Sequence, residues 1–180
     1  TFVANTSVTV NMDPATVGGS LQGSKQTFGS LPASPTTGDV WEIVGDPNSG
    51  FDNYYVKWDG STWVETVKPG ITFKLDPATM PHKLVRESDG SFTFDVISWG
   101  ERVVGDTKTT PNPSFVGTAV RDIFIYRNRL GILANENVIL STAPAADFNY
   151  FRNTATLLLD SDPIDTAAGG SSQTNSVSIL

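Results

Sequence analysis

The chain has 180 residues, 38% of them hydrophobic and 17% charged, with a net charge of -7. That length holds one medium domain or two small ones, and the acidic balance excludes a protein that grips nucleic acid by neutralising phosphates. The absence of cysteine excludes disulfide staples, thiol nucleophiles and thiolate-bound zinc.

Thr1 to Met12 sets Phe2, Val3, Val8 and Val10 among Thr, Ser and Asn, a pattern expected for an exposed or partner-covered strand. Asp13 to Gly38 is rich in Gly, Ser, Pro and Thr, with Phe28 and Leu31 as apolar anchors, and predicts a long connection. Three strands follow, over 40–44, 54–58 and 62–67, the last two joined at Asp59-Gly60. Asp-Gly suits a tight hairpin, and alternation sets Tyr54, Val56 and Trp58 on one face and Tyr55 and Lys57 on the other. The tetrapeptide Asp-Pro-Ala-Thr stands at Asp13–Thr16 and again at Asp76–Thr79, where Asp caps a turn and Pro follows it.

A second hairpin runs from His82 to Trp99 around Asp89-Gly90, with Phe92, Phe94 and Val96 on one face. Gly100 to Pro113 reads as a polar linker, because its prolines remove backbone donors. Beyond it, 122–126, 130–134 and 138–141 read as three short strands separated by the polar turns Arg127-Asn128-Arg129 and Asn135-Glu136-Asn137. The first is apolar on both faces, as a strand buried between sheets is, and the meander fits one blade of a β-propeller. Within it, Gly131 predicts a bulge or a close approach by another strand. Pro144 to Phe151 suggests one helical turn, with Phe148, Tyr150 and Phe151 as packing residues. A Gly169-Gly170 loop then leads to a terminal strand over 177–180. The expected fold is all-β, divided into an edge strand and connection (1–38), a small antiparallel platform unit (39–110) and a propeller-blade portion (111–180). Both ends read as cut from a longer protein.

The strings Pro113-Ser114-Phe115-Val116-Gly117, Phe124-Ile125-Tyr126-Arg127-Asn128-Arg129-Leu130-Gly131, Glu136-Asn137-Val138-Ile139-Leu140-Ser141 and Leu158-Leu159-Asp160-Ser161-Asp162-Pro163-Ile164-Asp165 closely resemble the tail tubular protein B, or tail nozzle, family of short-tailed bacteriophages. Upstream, Tyr54-Tyr55-Val56-Lys57, Lys68-Pro69-Gly70, Asp76-Pro77-Ala78-Thr79-Met80-Pro81-His82 and Leu84-Val85-Arg86 resemble the same family, while 18–38 offers no string to set against it. The resemblance implies a structural virion subunit in the phage tail: a ring of six copies below the adaptor ring of tail tubular protein A, with tail fibres as further neighbours. The ring encloses the channel through which double-stranded DNA passes, without specific binding, during ejection into the host. The chain is then an internal fragment, carrying part of a platform and the first portion of a propeller.

Candidate sites are few. His82, the one histidine, would have to anchor any Ser-His-Asp triad or His-based metal site by itself, and it reads as structural. Asp46, Asn48, Gly50 and Asp52 mimic the spacing of a calcium loop, but Lys57 stands where the bidentate Glu belongs, and a solvated loop is the better reading. Asp160, Asp162 and Asp165 could suggest a cation site or a glycosidase carboxylate pair and read instead as turn residues. Arg121, Arg127 and Arg129 could face DNA in a channel or, on the preferred reading, make salt bridges between subunits. Trp41, Tyr54, Tyr55, Trp58 and Trp63 could stack on sugar rings, the basis of the competing function, a carbohydrate-binding or polysaccharide-degrading tail module. Burial of aromatics in a small core outweighs it. No catalytic, metal or cofactor residue is assigned.

Overall fold

A computed structural model of the chain describes residues 1–46, 48, 53–143 and 148–168. The fold is all-β, with no α-helix among the described residues, and its strands form three open sheets. The first sheet has the order β1-β6-β7, from β1 (Phe2–Val3), β6 (His82–Arg86) and β7 (Phe92–Asp95). The second has the order β2-β3-β4-β5, from β2 (Leu21–Lys25), β3 (Val40–Ile43), β4 (Tyr54–Trp58) and β5 (Trp63–Thr66). The third is a four-stranded antiparallel meander of β8 (Asp122–Tyr126), β9 (Arg129–Ala134), β10 (Asn137–Leu140) and β11 (Ile164–Ala167).

Several elements differ from the sequence-based expectation. The N-terminal stretch is a strand only at Phe2–Val3, and Val10 is fully buried, bridged to Val116. The connection 13–38 contains β2, which pairs parallel to β3, and a short 3-10 turn at Phe28–Ser30. Leu-Gln-Gly-Ser-Lys has no β-branched residue to announce a strand, and its glycine admits the Trp41 ring, which would stand 3.1 Å from an added Cβ. Phe28, expected as an anchor, is half exposed.

The linker reading of 100–113 is also corrected: Arg102, Val104, Asp106, Thr109 and Thr110 are buried there. In the third sheet β9, not β8, is buried along its whole length, because β8 lies at the edge with Ile125 and Tyr126 about half exposed. The β8–β9 connection is a two-residue turn, in which Arg127 and Asn128 both take positive φ (47° and 58°), as a type I′ turn demands. Of the expected helical turn, 144–147 lie outside the described residues, whereas Tyr150 and Phe151 are buried as packing residues. The terminal strand expected at 177–180 also lies outside the described residues.

One apolar cluster joins distant parts of the chain. Val10, Leu75, Met80 and Trp99 pack with Phe115, Leu130, Ile132, Ile139, Tyr150 and Phe151, so residues on both sides of position 110 share it. Residues 1–17 run through this region as a strap, bridging to 72, 75, 116 and 119. The two Asp-Pro-Ala-Thr turns meet in the strap. Asp13 Oδ1 accepts from Ala15 N–H at 2.8 Å, and Asp76 Oδ1 accepts from Ala78 N–H at 3.0 Å. The preceding residues, Met12 and Leu75, form an antiparallel bridge flanked by reciprocal bonds from Asp13 N to Lys74 O and from Asp76 N to Asn11 O. The repeat therefore makes a local two-fold pair of Asx turns.

Candidate functional site

The residues capable of chemistry are dispersed. His82 opens β6, its Nδ1 donates to Met80 O at 2.9 Å, and its ring stacks on Phe94 at 5.1 Å. Both contacts serve packing, and neither brings a nucleophile or an acid to the ring.

Asp160, Asp162 and Asp165 all line the same cavity of about 580 Å³, yet two of the carboxylates are committed elsewhere. Asp162 is buried and accepts from Leu159 N at 2.8 Å and Asn153 N at 3.4 Å. Asp165 accepts from Ser114 N and Ser114 Oγ at 2.8 and 2.7 Å and from Asn137 Nδ2 at 3.1 Å. These bonds tie the segment before β8 to β10 and β11. Asp165 lies within β11, not in a turn. Among the described residues, no three acidic or histidine side chains are grouped to hold a metal ion. In the calcium-like loop, Asp46 Oδ1 accepts from Asn48 N at 2.9 Å, an Asx turn, and Gly50 and Asp52 lie outside the described residues.

The aromatic group divides across the second sheet. The pairings Trp41↔Val56, Ile43↔Tyr54, Val56↔Glu65 and Trp58↔Trp63 place Trp41, Tyr54, Trp58 and Trp63 on one face, and alternation puts Tyr55 on the other. Trp58 and Trp63 meet edge to face at 5.4 Å, the geometry of a packed cross-strand pair. Trp41 lies between Gly23 and the Lys25 ammonium, which is 4.9 Å from its ring. All four are partly covered, which leaves no flat, open row of rings for a sugar.

Arg129 is removed from both roles considered for it. It is buried, and its guanidinium donates to three backbone oxygens, Ser141 O at 2.8 Å, Asp162 O at 2.7 Å and Asp160 O at 2.6 Å. It clamps the 160–162 turn onto β9 and is unavailable to DNA or to another subunit. Arg121 and Arg127 are exposed, Arg127 over the Tyr126 ring.

Two buried polar centres have no signature in the sequence. Arg102 donates to Thr72 O, Thr110 O and Asn112 Oδ1 and lies over the Phe151 ring, 4.9 Å away. Burial pushes its pKa below the ordinary guanidinium value, with nearby Asp106 opposing the shift. The Tyr55 hydroxyl lies between two carboxylates, 3.0 Å from Glu42 Oε1 and 3.1 Å from Asp106 Oδ2. Burial and then these carboxylates push its pKa well above that of a free tyrosine. Burial works to raise the Asp106 pKa but is outweighed by the N–H groups of Thr109 and Lys108 and by the Tyr55 and Thr109 hydroxyls, which hold it below the usual carboxylate value. An arginine and a lone Asp in a polar stretch read as solvated, because only the fold brings the carbonyls of 72 and 110 and the ring of 151 around them.

The chemistry of these groups is that of joints. They fasten loops to sheets, and the Glu42 and Asp106 carboxylates that come together do so on the buried Tyr55 hydroxyl. The chain is 41% identical to the tail tubular protein gp12 of Escherichia phage T7 over 157 residues, which is 86% of this chain and 19% of that protein, so the match spans about one fifth of the relative's length. Residues 15–180 match the family model of the bacteriophage nozzle protein. The chain belongs to the bacteriophage nozzle protein family and is a structural component of the phage tail.

Proposed function

We propose that the chain is part of a nozzle subunit that assembles, six copies to a ring, around the channel through which the genome leaves the virion. The family membership supports this, and the observation that carries it is the form of the third sheet. It is a four-stranded up-and-down meander, fully buried at β9 and apolar on both faces: Leu130, Ile132 and Ile139 point into the core, and Phe124, Leu133 and Leu140 line the opposite side. A sheet with two apolar faces needs a neighbour on each, as a propeller blade does. In this reading 39–110 belong to the platform and 111–180 to the blade, with 1–38 contributing an edge strand and connection, and the parts share one core.

A conduit for DNA needs little attraction for phosphate. The net charge of -7 suits a wall along which the duplex slides. The adaptor ring and the tail fibres are the proposed neighbours, and no catalytic step is assigned. Electron microscopy of the full-length protein tests the proposal. Rings with sixfold symmetry and an open centre are the expected result, and a monomer or a closed particle without a channel overturns it. The competing glycan-binding reading is not favoured, because the four aromatic residues that share one face of the second sheet are each partly covered and Trp58 and Trp63 pack edge to face against each other.

A further inference from the structure

The second sheet is an insert with a narrow base. The chain enters it past Val17 and leaves it at Gly70, and these two residues are paired. Val17 N donates to Ile71 O at 3.0 Å and Gly70 N donates to Val17 O at 2.9 Å, next to the antiparallel bridge between Thr16 and Thr72. Glycines stand on both sides of this neck, Gly18 and Gly19 on the way in and Gly70 on the way out. Gly19 and Gly70 take positive φ of 94° and 84°, and a Cβ added to any of the three would meet nothing within 4 Å. The neck therefore turns in open space, where glycine gives the backbone its widest freedom.

The apolar cluster that unites the rest of the chain stops short of the insert. Its members come from 2–12 and 75–151, and among the described residues none from 18–66 belongs to it. The insert has buried side chains of its own, among them Val40, Ile43 and Val56, and hydrogen bonds fasten it to the body. The Tyr55 hydroxyl reaches Asp106 Oδ2 at 3.1 Å. Glu65 Oε2 accepts from Ala155 N at 2.9 Å, and Glu65 Oε1 accepts from Thr156 Oγ1 at 3.0 Å. Gly105 N donates to Thr66 O and Gly105 O accepts from Lys68 N. Parts of one chain that meet through a polar joint move against each other, whereas a large apolar interface holds them still.

We infer that 18–66 is a self-contained arm that swings about the glycine neck and is latched to the body by Tyr55 and Glu65. Undocking exchanges these hydrogen bonds for bonds to water, at a modest net cost for each, and leaves the apolar cluster whole. Tyr55 is the centre of the latch, because its hydroxyl lies between two carboxylates, Glu42 of the arm and Asp106 of the body. Without that hydroxyl two like charges face each other across the joint. The device is built from contacts within one chain and does not depend on the ring proposed above.

Because the chain has no cysteine, introduced pairs carry spin labels without interference. Thr62→Cys, in the exposed β4–β5 turn, with Thr93→Cys, exposed on β7, measures arm against body, and Thr93→Cys with the exposed Arg121→Cys measures the body alone. The release variant combines Tyr55→Phe with Glu65→Thr, whose shorter side chain no longer reaches 155 and 156. By pulsed electron spin resonance the arm-to-body distance is expected to be narrowly distributed in the parent and to gain a second, broader population in the release variant. The body distance is expected to stay unchanged, and the far-ultraviolet exciton signal of the packed Trp58–Trp63 pair to persist. An arm-to-body distribution that remains that of the parent overturns the inference. So does a broadened body distance or a lost exciton signal, since the substitutions have then unfolded the body or the arm instead of parting them.

Discussion

The ring of Phe124 lies on Gly131: the two are directly opposite in the β8–β9 ladder, and a Cβ added to the glycine would stand 2.3 Å from Phe124 Cζ. Of the two expectations for this glycine, a bulge or a close approach, the structure shows the close approach, since the register through β8, β9 and β10 runs without a shift. Replacing Gly131 by Val forces the ring out of its seat, with an expected cost above about 1 kcal/mol. Equilibrium denaturation of Gly131→Val, alone and with Phe124→Ala, gives the measurement. The cost should shrink when the ring is absent, and an additive pair would place the strain elsewhere.

Arg102 donates to three acceptors, Thr72 O, Thr110 O and Asn112 Oδ1. Arg102→Met roughly keeps the volume but strands the buried Thr110 O and the partly buried Thr72 O, so a loss of about 2 kcal/mol or more is expected. Arg102→Lys, with a compact ammonium in place of the fork, is expected to recover only part of that. Urea midpoints of the three proteins, compared at equal m-values, decide it.

The strands with alternating or aromatic residues were legible in the sequence: β3 to β6 begin and end within a residue or two of the patterns that predict them, whereas β7 begins on its pattern but ends at Asp95, four residues before Trp99. β2 was not, because a parallel edge strand held by one neighbour has little need of β-branched residues. β11 was hidden by the prolines and aspartates before it, which announce a turn but not the strand that follows. The long-range joints were invisible for a different reason. The aspartate at 106 lies among lysine and threonine in the sequence, and the tyrosine that reaches it is 51 residues away. The exposed character of Phe92 and Phe94 was equally hidden, since alternation identifies a common face and leaves open whether anything covers it.

The depressed pKa of Asp106 fixes the sign of an acid effect. Its ionised form is favoured in the folded protein, so its contribution is complete above the unfolded carboxylate value of about 3.9 and is lost as pH falls through the lower folded value. Asp106→Asn is therefore expected to lower stability at pH 7 and to flatten the decline below pH 4. Thermal midpoints between pH 2 and pH 7 check this, and parallel curves for the two proteins would remove Asp106 from the account.

At the alkaline end the tyrosines act in the opposite sense. Tyr150 is buried, donates to Leu130 O at 3.1 Å, and burial raises its pKa; Tyr55 is raised as well. Each favours folding below the unfolded tyrosine value of about 10, and this contribution declines as pH rises above it. Tyr150→Phe should lower stability at neutral pH by about 1 kcal/mol and lessen the alkaline decline, as midpoints from pH 8 to pH 11 will show.

The strap formed by residues 1–17 sets a timetable. Its amino-terminal residue meets a partner 83 positions further along, and Asn11 meets one 68 positions away. On a ribosome adding about 5–20 residues each second, Asn11 waits roughly 3–14 seconds before its partner exists. Closing such long loops is entropically costly and slow, so the strap locks only after the sheets it crosses have met. Until then Val10 and Met12 have no core to enter, and the nascent chain carries an apolar segment in need of protection.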